Sequence, residues 1–283
     1  MVGTEVGFLL HGDSPDETPQ NYGNHHMKVV LLAGGFGSRL SEETIVKPKP
    51  MVEIGGRPIL LHIMELYAQF GFTDFVIACG YKGEYIKNFF NNFHLNNSDY
   101  TISLKSGERT IVNPVAEDWK VSVVDTGLET MTAGRLRRLR PWIGDDAFML
   151  TYGDGLADVD LEALLRFHRA HGCFATVTAV QPPARFGSLE IEGSKVSAFT
   201  EKIRAHETWI NGGFFVFEPG VFDYLTELDS MPLEKKPLSD LATDGQLMAY
   251  KHHGFWHPMD TIRDREILEQ YWSDGAAPWK AAS

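Results

Sequence analysis

The sequence predicts an α/β fold built on a mainly parallel sheet, and two observations support that class. Short apolar runs, such as Val29 to Leu32 and Phe75 to Cys79, are typical of buried strands, and glycines follow each of them closely. A segment with apolar residues at helical spacing, Ile59 to Phe70, lies between these two runs. Strands that alternate with helices are typical of a parallel sheet covered by helices.

The other elements are predicted from the same patterns. We expect further strands at Tyr100 to Leu104, Lys120 to Asp125, Phe148 to Tyr152, Ala175 to Val180, and Lys195 to Phe199, which pairs back on Arg185 to Ile191. We expect further helices at Glu84 to Phe93, Met131 to Pro141, Leu161 to His171, Val221 to Leu228, Leu238 to Gln246 and Ile262 to Trp272. The polar segments 91–98 and 106–118 are predicted to be irregular, and they could either be mobile or form subunit contacts.

Composition argues against two classes of partner. The 283 residues carry a net charge of −12, and no basic run extends beyond Arg135 to Arg140, so we expect no nucleic-acid partner. No apolar run is long enough to cross a bilayer, so we expect no membrane partner either. An acidic body with a few local cations favours a small anionic ligand over a polymer.

The chain is predicted to be one domain, residues 27–283, preceded by a flexible N-terminal extension, residues 1–26, which is polar and turn-rich. Neither Cys79 nor Cys173 belongs to a Cys-x-x-Cys pair, so no disulfide framework is expected. The first residues lack the basic region of a signal peptide. These features favour a reducing cytoplasm as the location.

A glycine-rich loop follows the first predicted strand and is the main candidate for ligand binding. Gly34, Gly35 and Gly37 lack Cβ atoms, so the phosphates of a nucleotide can approach backbone N–H groups there. Arg39, Lys47 and Lys49 add positive charge just downstream. The alternative is a plain strand-to-loop turn with surface cations, and it is less favoured because prolines stiffen the segment that carries both lysines.

The segment from Leu32 to Leu40, with the Lys-Pro pairs after it, resembles the signature of the sugar-1-phosphate nucleotidyltransferases. The resemblance continues from Met27 to about Lys280. It implies a Rossmann-like, mainly parallel but mixed sheet of the nucleotide-diphospho-sugar transferase type, with a small sugar-facing β subdomain. Within the family, the string from Ser41 to Pro50 is most similar to members that act on CTP and glucose 1-phosphate. The resemblance also implies a homo-oligomer.

The resemblance implies a set of nucleotide-binding residues along the strand ends and loops. They are Leu32, Ala33, Gly34, Gly35, Phe36, Gly37, Ser38, Arg39, Lys49, Gly80, Thr130, Arg135 and Gly153. Arg39, Lys49 and Asp154 are the predicted catalytic residues, with Lys49 rather than Lys47 as the essential lysine. The family has glycine where Ala133 stands, and the added methyl group could crowd the ligand. Arg137, Arg138 and Arg140 are interpreted as a solvated helix face.

Two aspartates are the candidate ligands of Mg²⁺. Asp154 lies between two glycines at the end of a predicted strand, and a turn aspartate is the alternative interpretation from local sequence. Asp260 matches the aspartate of the family's Pro-Met-Asp-Thr segment, and it is also a candidate N-cap of the last helix. Asp158 and Asp160 compete with Asp154, but Asp160 is better placed to cap a helix. His257 is interpreted as a packing residue.

The sugar-phosphate site is expected from two further family elements. Glu201 and Lys202 match a Glu-Lys element, for which an exposed ion pair is the alternative, and Asn211 with Gly212 matches an Asn-Gly-Gly element. Ile203, which stands where the family usually has proline, and the unusual loop 204–209 depart from the pattern.

The resemblance implies Mg²⁺-dependent transfer from CTP to glucose 1-phosphate, which gives CDP-glucose and pyrophosphate. One alternative is the same chemistry with another sugar phosphate, or with UTP or dTTP. Another is a non-catalytic nucleotide-binding subunit, which is disfavoured because the residues that would handle phosphate are present.

Overall fold

The computed structural model describes residues 27–37, 40–114, 117–182, 188–192, 195–200 and 208–280. The strands are β1 (Lys28–Ala33), β2 (Glu53–Ile54), β3 (Arg57–Pro58), β4 (Asp74–Cys79), β5 (Asp99–Ile102), β6 (Arg109–Asn113), β7 (Lys120–Asp125), β8 (Phe148–Tyr152), β9 (Gly155–Ala157), β10 (Ala175–Val180), β11 (Ser188–Glu192), β12 (Lys195–Thr200), β13 (Ile210–Asn211), β14 (Phe215–Phe217), β15 (Leu247–His252) and β16 (Trp256–Pro258). The predicted extension, residues 1–26, lies outside the described residues.

The α-helices are α1 (Ser41–Thr44), α2 (Ile59–Gln69), α3 (Gly83–Asn91), α4 (Phe93–Asn96), α5 (Thr132–Ile143), α6 (Leu161–His171), α7 (Lys236–Thr243) and α8 (Ile262–Ser273), with short 3-10 helices at Lys49–Met51 and Pro219–Tyr224. Gly71 and Gly172 adopt positive φ angles at the ends of α2 and α6, as their sequence positions predict. Among the described residues, none of these helices has both the length and the apolar character needed to span a membrane.

The central sheet is mixed and mainly parallel, so the predicted fold class is confirmed. Its order is β13-β10-β14-β8-β1-β4-β7, and β15 also pairs with β10. Strands β8, β1, β4 and β7 are parallel neighbours, whereas β14 is antiparallel to both β8 and β10. The predicted hairpin is also present, because β11 pairs with β12 in antiparallel fashion.

The alternation of side chains along β1 builds a core on each face of the sheet. Val29 and Leu31 point into a cluster with α2, whereas Val30 and Leu32 point into a cluster with α5. Because both faces are covered, every residue of β1 from Val29 to Ala33 is buried, as its continuous apolar run predicts.

The strand ends bring the glycine loops together. Ala33 of β1 is in register with Cys79 of β4, and Leu32 is in register with Tyr152 of β8. The loops that begin at Gly34, Gly80 and Gly153 therefore leave the sheet side by side. Ligands of open α/β sheets bind beyond the carboxyl ends of the strands, which is this edge.

Some predicted elements were wrong. The segment predicted as a helix from Val221 to Leu228 is a 3-10 helix at Pro219–Tyr224. The segments expected to be irregular contain α4 and the hairpin strand β6, and the predicted helix from Leu238 to Gln246 ends at Thr243, before the unpredicted strand β15. In these segments polar residues obscure the hydrophobic periodicity from which helices and strands are predicted. The strand conformation of β15 depends on its pairing with β10.

Candidate active site

A pocket of about 320 Å³ opens at the carboxyl ends of β1 and β8. Most of the residues predicted to bind nucleotide line it, namely Leu32, Ala33, Gly34, Gly35, Phe36, Gly37, Lys49, Thr130, Arg135 and Gly153. Asp154, predicted as a catalytic residue and metal ligand, lines it too. Gly80 lies behind the glycine loop, next to Gly34 and Arg135, and not in the pocket wall. The predicted residues Ser38 and Arg39 lie outside the described residues.

The glycine loop needs glycine for two different physical reasons. A Cβ atom on Gly34 would lie 2.2 Å from Nη1 of Arg135, so a side chain there would collide with the guanidinium group. Gly37 has a φ of +63°, a conformation that costs little only for glycine. Gly35, in contrast, has no neighbouring atom within 4 Å of a Cβ atom placed on it.

Arg135 connects the loops around the pocket through hydrogen bonds to their carbonyl oxygens. Its Nη2 atom donates to the carbonyl of Gly34 at 2.9 Å, and its Nη1 atom donates to the carbonyl oxygens of Cys79 and Gly127 at 2.9 and 2.8 Å. The guanidinium group is largely buried and joins the ends of β1 and β4 to the loop before α5. Arg135 thus fixes the shape of the pocket as well as lining it.

Two expectations about α5 were wrong. Ala133 is buried in the core, and its backbone N–H donates to the carbonyl of Met231, so its methyl group does not line the pocket. Arg137 and Arg138 do not form a merely solvated face, because both pair with Asp229. The spacing of arginines along a helix does not reveal that a distant loop supplies their partner.

Lys49 joins the two predicted metal ligands. Its Nζ atom lies 2.7 Å from a carboxylate oxygen of Asp154 and 2.7 Å from one of Asp260. Burial acts to lower the pKa of Lys49, but the two carboxylates outweigh it, so the pKa lies above its ordinary value of 10.5. Lys47 instead pairs with Glu53, outside the pocket wall.

The fold brings the two aspartates together through a short pair of strands. Asp154 lies in the turn between β8 and β9, and β16 pairs with β9, so that Pro258 is opposite Gly155. The N–H of Met259 then donates to the carbonyl of Asp154 at 2.8 Å. Asp260 follows directly and reaches the same side of the pocket.

Asp260 is not the cap of the last helix, contrary to one predicted role. Thr261 is the N-cap residue of α8, and its hydroxyl accepts from the N–H of Asp264. The Asp264 carboxylate in turn accepts from the backbone N–H of Thr261, which completes a capping box. Asp160 does cap α6, as predicted, and Asp158 pairs with His252.

The donor set around Lys49 fits a magnesium ion. One carboxylate oxygen of Asp154 and one of Asp260 both accept from the Nζ atom of Lys49, so a single cation can contact both aspartates. Mg²⁺ prefers oxygen ligands and is usually held by one or two carboxylates, together with phosphates and water. Within the described ranges, no cluster of three or more His, Cys, Asp or Glu side chains offers a richer metal site.

Two of the predicted sugar-side residues, Asn211 and Gly212, lie beside the pocket. The Asn211 side-chain amide donates to the hydroxyl of Tyr152 at 3.0 Å, and the carbonyl of Gly212 accepts from the indole of Trp256 at 2.9 Å. A Cβ atom on Gly212 would lie 2.6 Å from Val180, so the loop requires glycine there. Glu201 and Lys202 lie outside the described residues.

Sequence reasoning missed three polar residues at this end of the pocket. Tyr152 and Thr132 line the pocket, and both donate hydrogen bonds to Glu234. Tyr152 could have been found, because it directly precedes the Gly-Asp-Gly segment at a strand end. Glu234 carries no local signal, since only the folding of a distant loop places it there.

Comparisons with known proteins agree with this site. A family model described as nucleotidyl transferase matches residues 28–275. The chain is 53% identical over 255 residues to proteins of Salmonella typhi and Salmonella typhimurium named glucose-1-phosphate cytidylyltransferase, and the match covers 90% of this chain and 99% of each relative. A UDP-glucose pyrophosphorylase solved with UDP-glucose has a TM-score of 0.64 at 16% identity, covering 88% of this chain and 99% of that one, which supports the fold.

The family model spans almost all of the described sequence. The Salmonella relatives match this chain at 53% identity over nearly their whole length. The chain therefore belongs to the nucleotidyl transferase family.

Proposed function

We propose that the chain transfers a cytidylyl group from CTP to glucose 1-phosphate, giving CDP-glucose and pyrophosphate. The observation that carries this proposal is the convergence of Lys49 on Asp154 and Asp260 beside a glycine-lined pocket. The choice of CTP and glucose 1-phosphate rests on the names of the Salmonella relatives.

The reaction needs positioning and charge stabilisation more than it needs a base. An oxygen of the sugar phosphate attacks the α-phosphorus of CTP, and the bond to pyrophosphate breaks. A phosphate monoester has its second pKa at about 6, so the nucleophile is already ionised near neutral pH. The barrier is the approach of two polyanions and the charge on the leaving group, which fixed cations and backbone N–H groups lower.

Each predicted residue has a role in this scheme. Lys49 and Arg39 hold phosphate oxygens, and the backbone of Gly34 to Gly37 faces the triphosphate. Asp154 and Asp260 would hold Mg²⁺, which neutralises phosphate charge when it is bound. Glu201, Lys202, Asn211 and Gly212 receive the sugar phosphate.

We also propose that the protein forms a homo-oligomer in the cytoplasm. The hairpin of β5 and β6 is exposed along both strands and carries apolar side chains, among them Tyr100, Ile102 and Val112. Leu104 in its turn is 91% exposed. Several exposed apolar side chains on one hairpin favour a contact with another subunit. Light scattering of the intact protein tests the proposal.

Pyrophosphate release tests the catalytic proposal. Wild-type protein is incubated with MgCl₂, each of CTP, UTP, dTTP, ATP and GTP, and a panel of hexose 1-phosphates. We expect CTP with glucose 1-phosphate to give the highest kcat/KM. Higher activity with another pair favours the same chemistry on other substrates, and no turnover with any pair favours a non-catalytic nucleotide-binding protein. Lys49→Ala and Asp154→Ala controls show whether the activity belongs to this pocket.

A further inference from the structure

A chain of hydrogen bonds links Thr132 and Tyr152, two polar side chains that line the pocket. The N–H of Leu233 donates to the hydroxyl of Thr132 at 2.7 Å, and that hydroxyl donates to Glu234 at 2.8 Å. The hydroxyl of Tyr152 donates to the other carboxylate oxygen of Glu234 at 2.6 Å. Glu234 therefore holds two pocket-lining side chains, each through one of its oxygen atoms.

The direction of every bond in this chain is fixed by chemistry. A carboxylate only accepts, so the single proton of Tyr152 points to Glu234, and its oxygen accepts from the Asn211 side-chain amide. The Asn211 amide oxygen accepts from the N–H of Gly213 at 2.8 Å. The orientation of the Asn211 amide is thus set from both of its ends.

The charged groups around the pocket differ in what they can bind. Lys49, together with a divalent cation held by Asp154 and Asp260, would suit phosphate, whereas Glu234 repels phosphate and accepts hydrogen bonds. A hexose 1-phosphate has one phosphate and several hydroxyl groups, and each hydroxyl both donates and accepts. The side chain of Asn211 complements such hydroxyl groups, because its amide nitrogen has a second N–H besides the one donated to Tyr152 and its oxygen can accept.

We propose that Tyr152 and Glu234 are positioning residues that orient Asn211 toward the hydroxyl groups of the sugar phosphate and thereby set the affinity for that substrate. This inference rests on the proposed function, because that function supplies a phosphorylated sugar as the second substrate. Neither residue touches the reacting phosphorus atom. Their loss should therefore change the KM for the sugar phosphate far more than kcat or the KM for the triphosphate.

The test compares Tyr152→Phe, Glu234→Gln and the double variant with wild-type protein. Matched controls are Tyr224→Phe, which removes a tyrosine–aspartate hydrogen bond outside the pocket, and Glu227→Gln, which removes the charge that pairs with Arg137. Initial rates of pyrophosphate release give kcat and both KM values, and thermal melting reports on folding. Wild-type turnover, measured first, tests the proposed function separately.

We expect each single variant to raise the KM for the sugar phosphate about tenfold, the scale of one hydrogen bond to a charged group. The KM for the triphosphate stays within about twofold of the wild-type value. The KM of the double variant for the sugar phosphate is no higher than that of the more impaired single variant, because both residues act through Asn211. The inference is overturned if wild-type protein is active and the sugar KM does not change, if both KM values rise equally, or if the two effects multiply. Because Glu234 is exposed, Glu234→Gln decides the matter even if Tyr152→Phe melts at a much lower temperature.

Discussion

The Nζ atom of Lys49 donates a hydrogen bond of 2.7 Å to Asp260, a residue 211 positions further along the sequence. The same nitrogen reaches Asp154, so a single ammonium group is held between two carboxylates. Lys49 is 8% exposed, and removal of the charge would leave two acidic groups facing each other at the pocket wall. The consequences can be measured in both activity and stability.

Replacement of the bridging lysine should abolish most of the activity. We expect Lys49→Met to lower kcat by about 10²- to 10³-fold, the effect of one lost group that stabilises transition-state charge. Lys47→Met is the matched control, because Lys47 pairs with Glu53 and does not line the pocket. Steady-state rates of pyrophosphate release decide the comparison, and an equal loss in the Lys47 variant would contradict the role assigned to Lys49.

Removal of divalent metal should stop turnover. We expect excess chelator to abolish pyrophosphate release and added MgCl₂ to restore it. Asp260→Asn should raise the magnesium concentration needed for half-maximal rate by about tenfold or more, because one of two ligands loses its charge. Asp160→Asn is the control, since asparagine can also cap α6. Activity that resists the chelator would refute the metal assignment.

Gly34, which is buried, and Gly35, which is exposed, should differ in their tolerance of a methyl group. Gly34→Ala places a Cβ atom 2.2 Å from the Arg135 guanidinium, whereas Gly35→Ala meets no atom within 4 Å. We expect Gly34→Ala to lower the free energy of unfolding by about 2–4 kcal/mol, through strain and lost hydrogen bonds of Arg135. Gly35→Ala should stay within about 0.5 kcal/mol of wild type in urea unfolding. Equal stability of the two variants would show that Arg135 moves aside at no cost.

Ala133→Gly tests whether the methyl group belongs to the core or to the ligand site. Ala133 is buried within α5 and does not line the pocket. We therefore expect a loss of about 1 kcal/mol in unfolding free energy, from helix propensity and lost packing, with an unchanged KM for CTP. A lower KM for CTP at equal stability would instead show that the methyl group crowds the nucleotide.

Stability should fall as the solution becomes acidic, and His62 contributes to that fall. Burial lowers the pKa of His62 below its ordinary value of 6.5, and a hydrogen bond to the carbonyl of Ile54 offsets this only in part. The unfolded chain binds the proton more tightly, so the stability held above pH 6.5 is lost as the pH decreases through and below that value. Urea midpoints between pH 8 and pH 5 should show a smaller slope for His62→Gln. An identical slope would exclude His62 as the source.

The core elements could be predicted from sequence because local pattern and tertiary role agree there. The apolar run of β1 is buried on both faces, and the bounds of α6 and β10 match their predicted ranges. Strand β15 was missed because its residues alternate poorly, and its pairing with β10 decides its conformation.

In the candidate site, too, some residues can be predicted from local sequence and others only from tertiary contacts. Lys49, Asp154 and Asp260 are recognisable because each lies in a distinctive short motif, and the fold brings them together. Glu234 has no such motif, and its place beside Tyr152 follows from the docking of its loop. The burial of Ala133 likewise depends on which side of α5 faces the sheet, which one substituted glycine does not reveal.

The distance in sequence between Lys49 and its partner Asp260 also sets an order of assembly during synthesis. A growing polypeptide can pair β1 with β4 and β8 long before Asp260 has been added, because chains emerge and fold from the amino end. The contact between Lys49 and Asp260 therefore forms only after the ribosome has added Asp260. A nascent chain that stops before Asp260 would hold paired strands but lack this contact, so such products would not consume nucleotide.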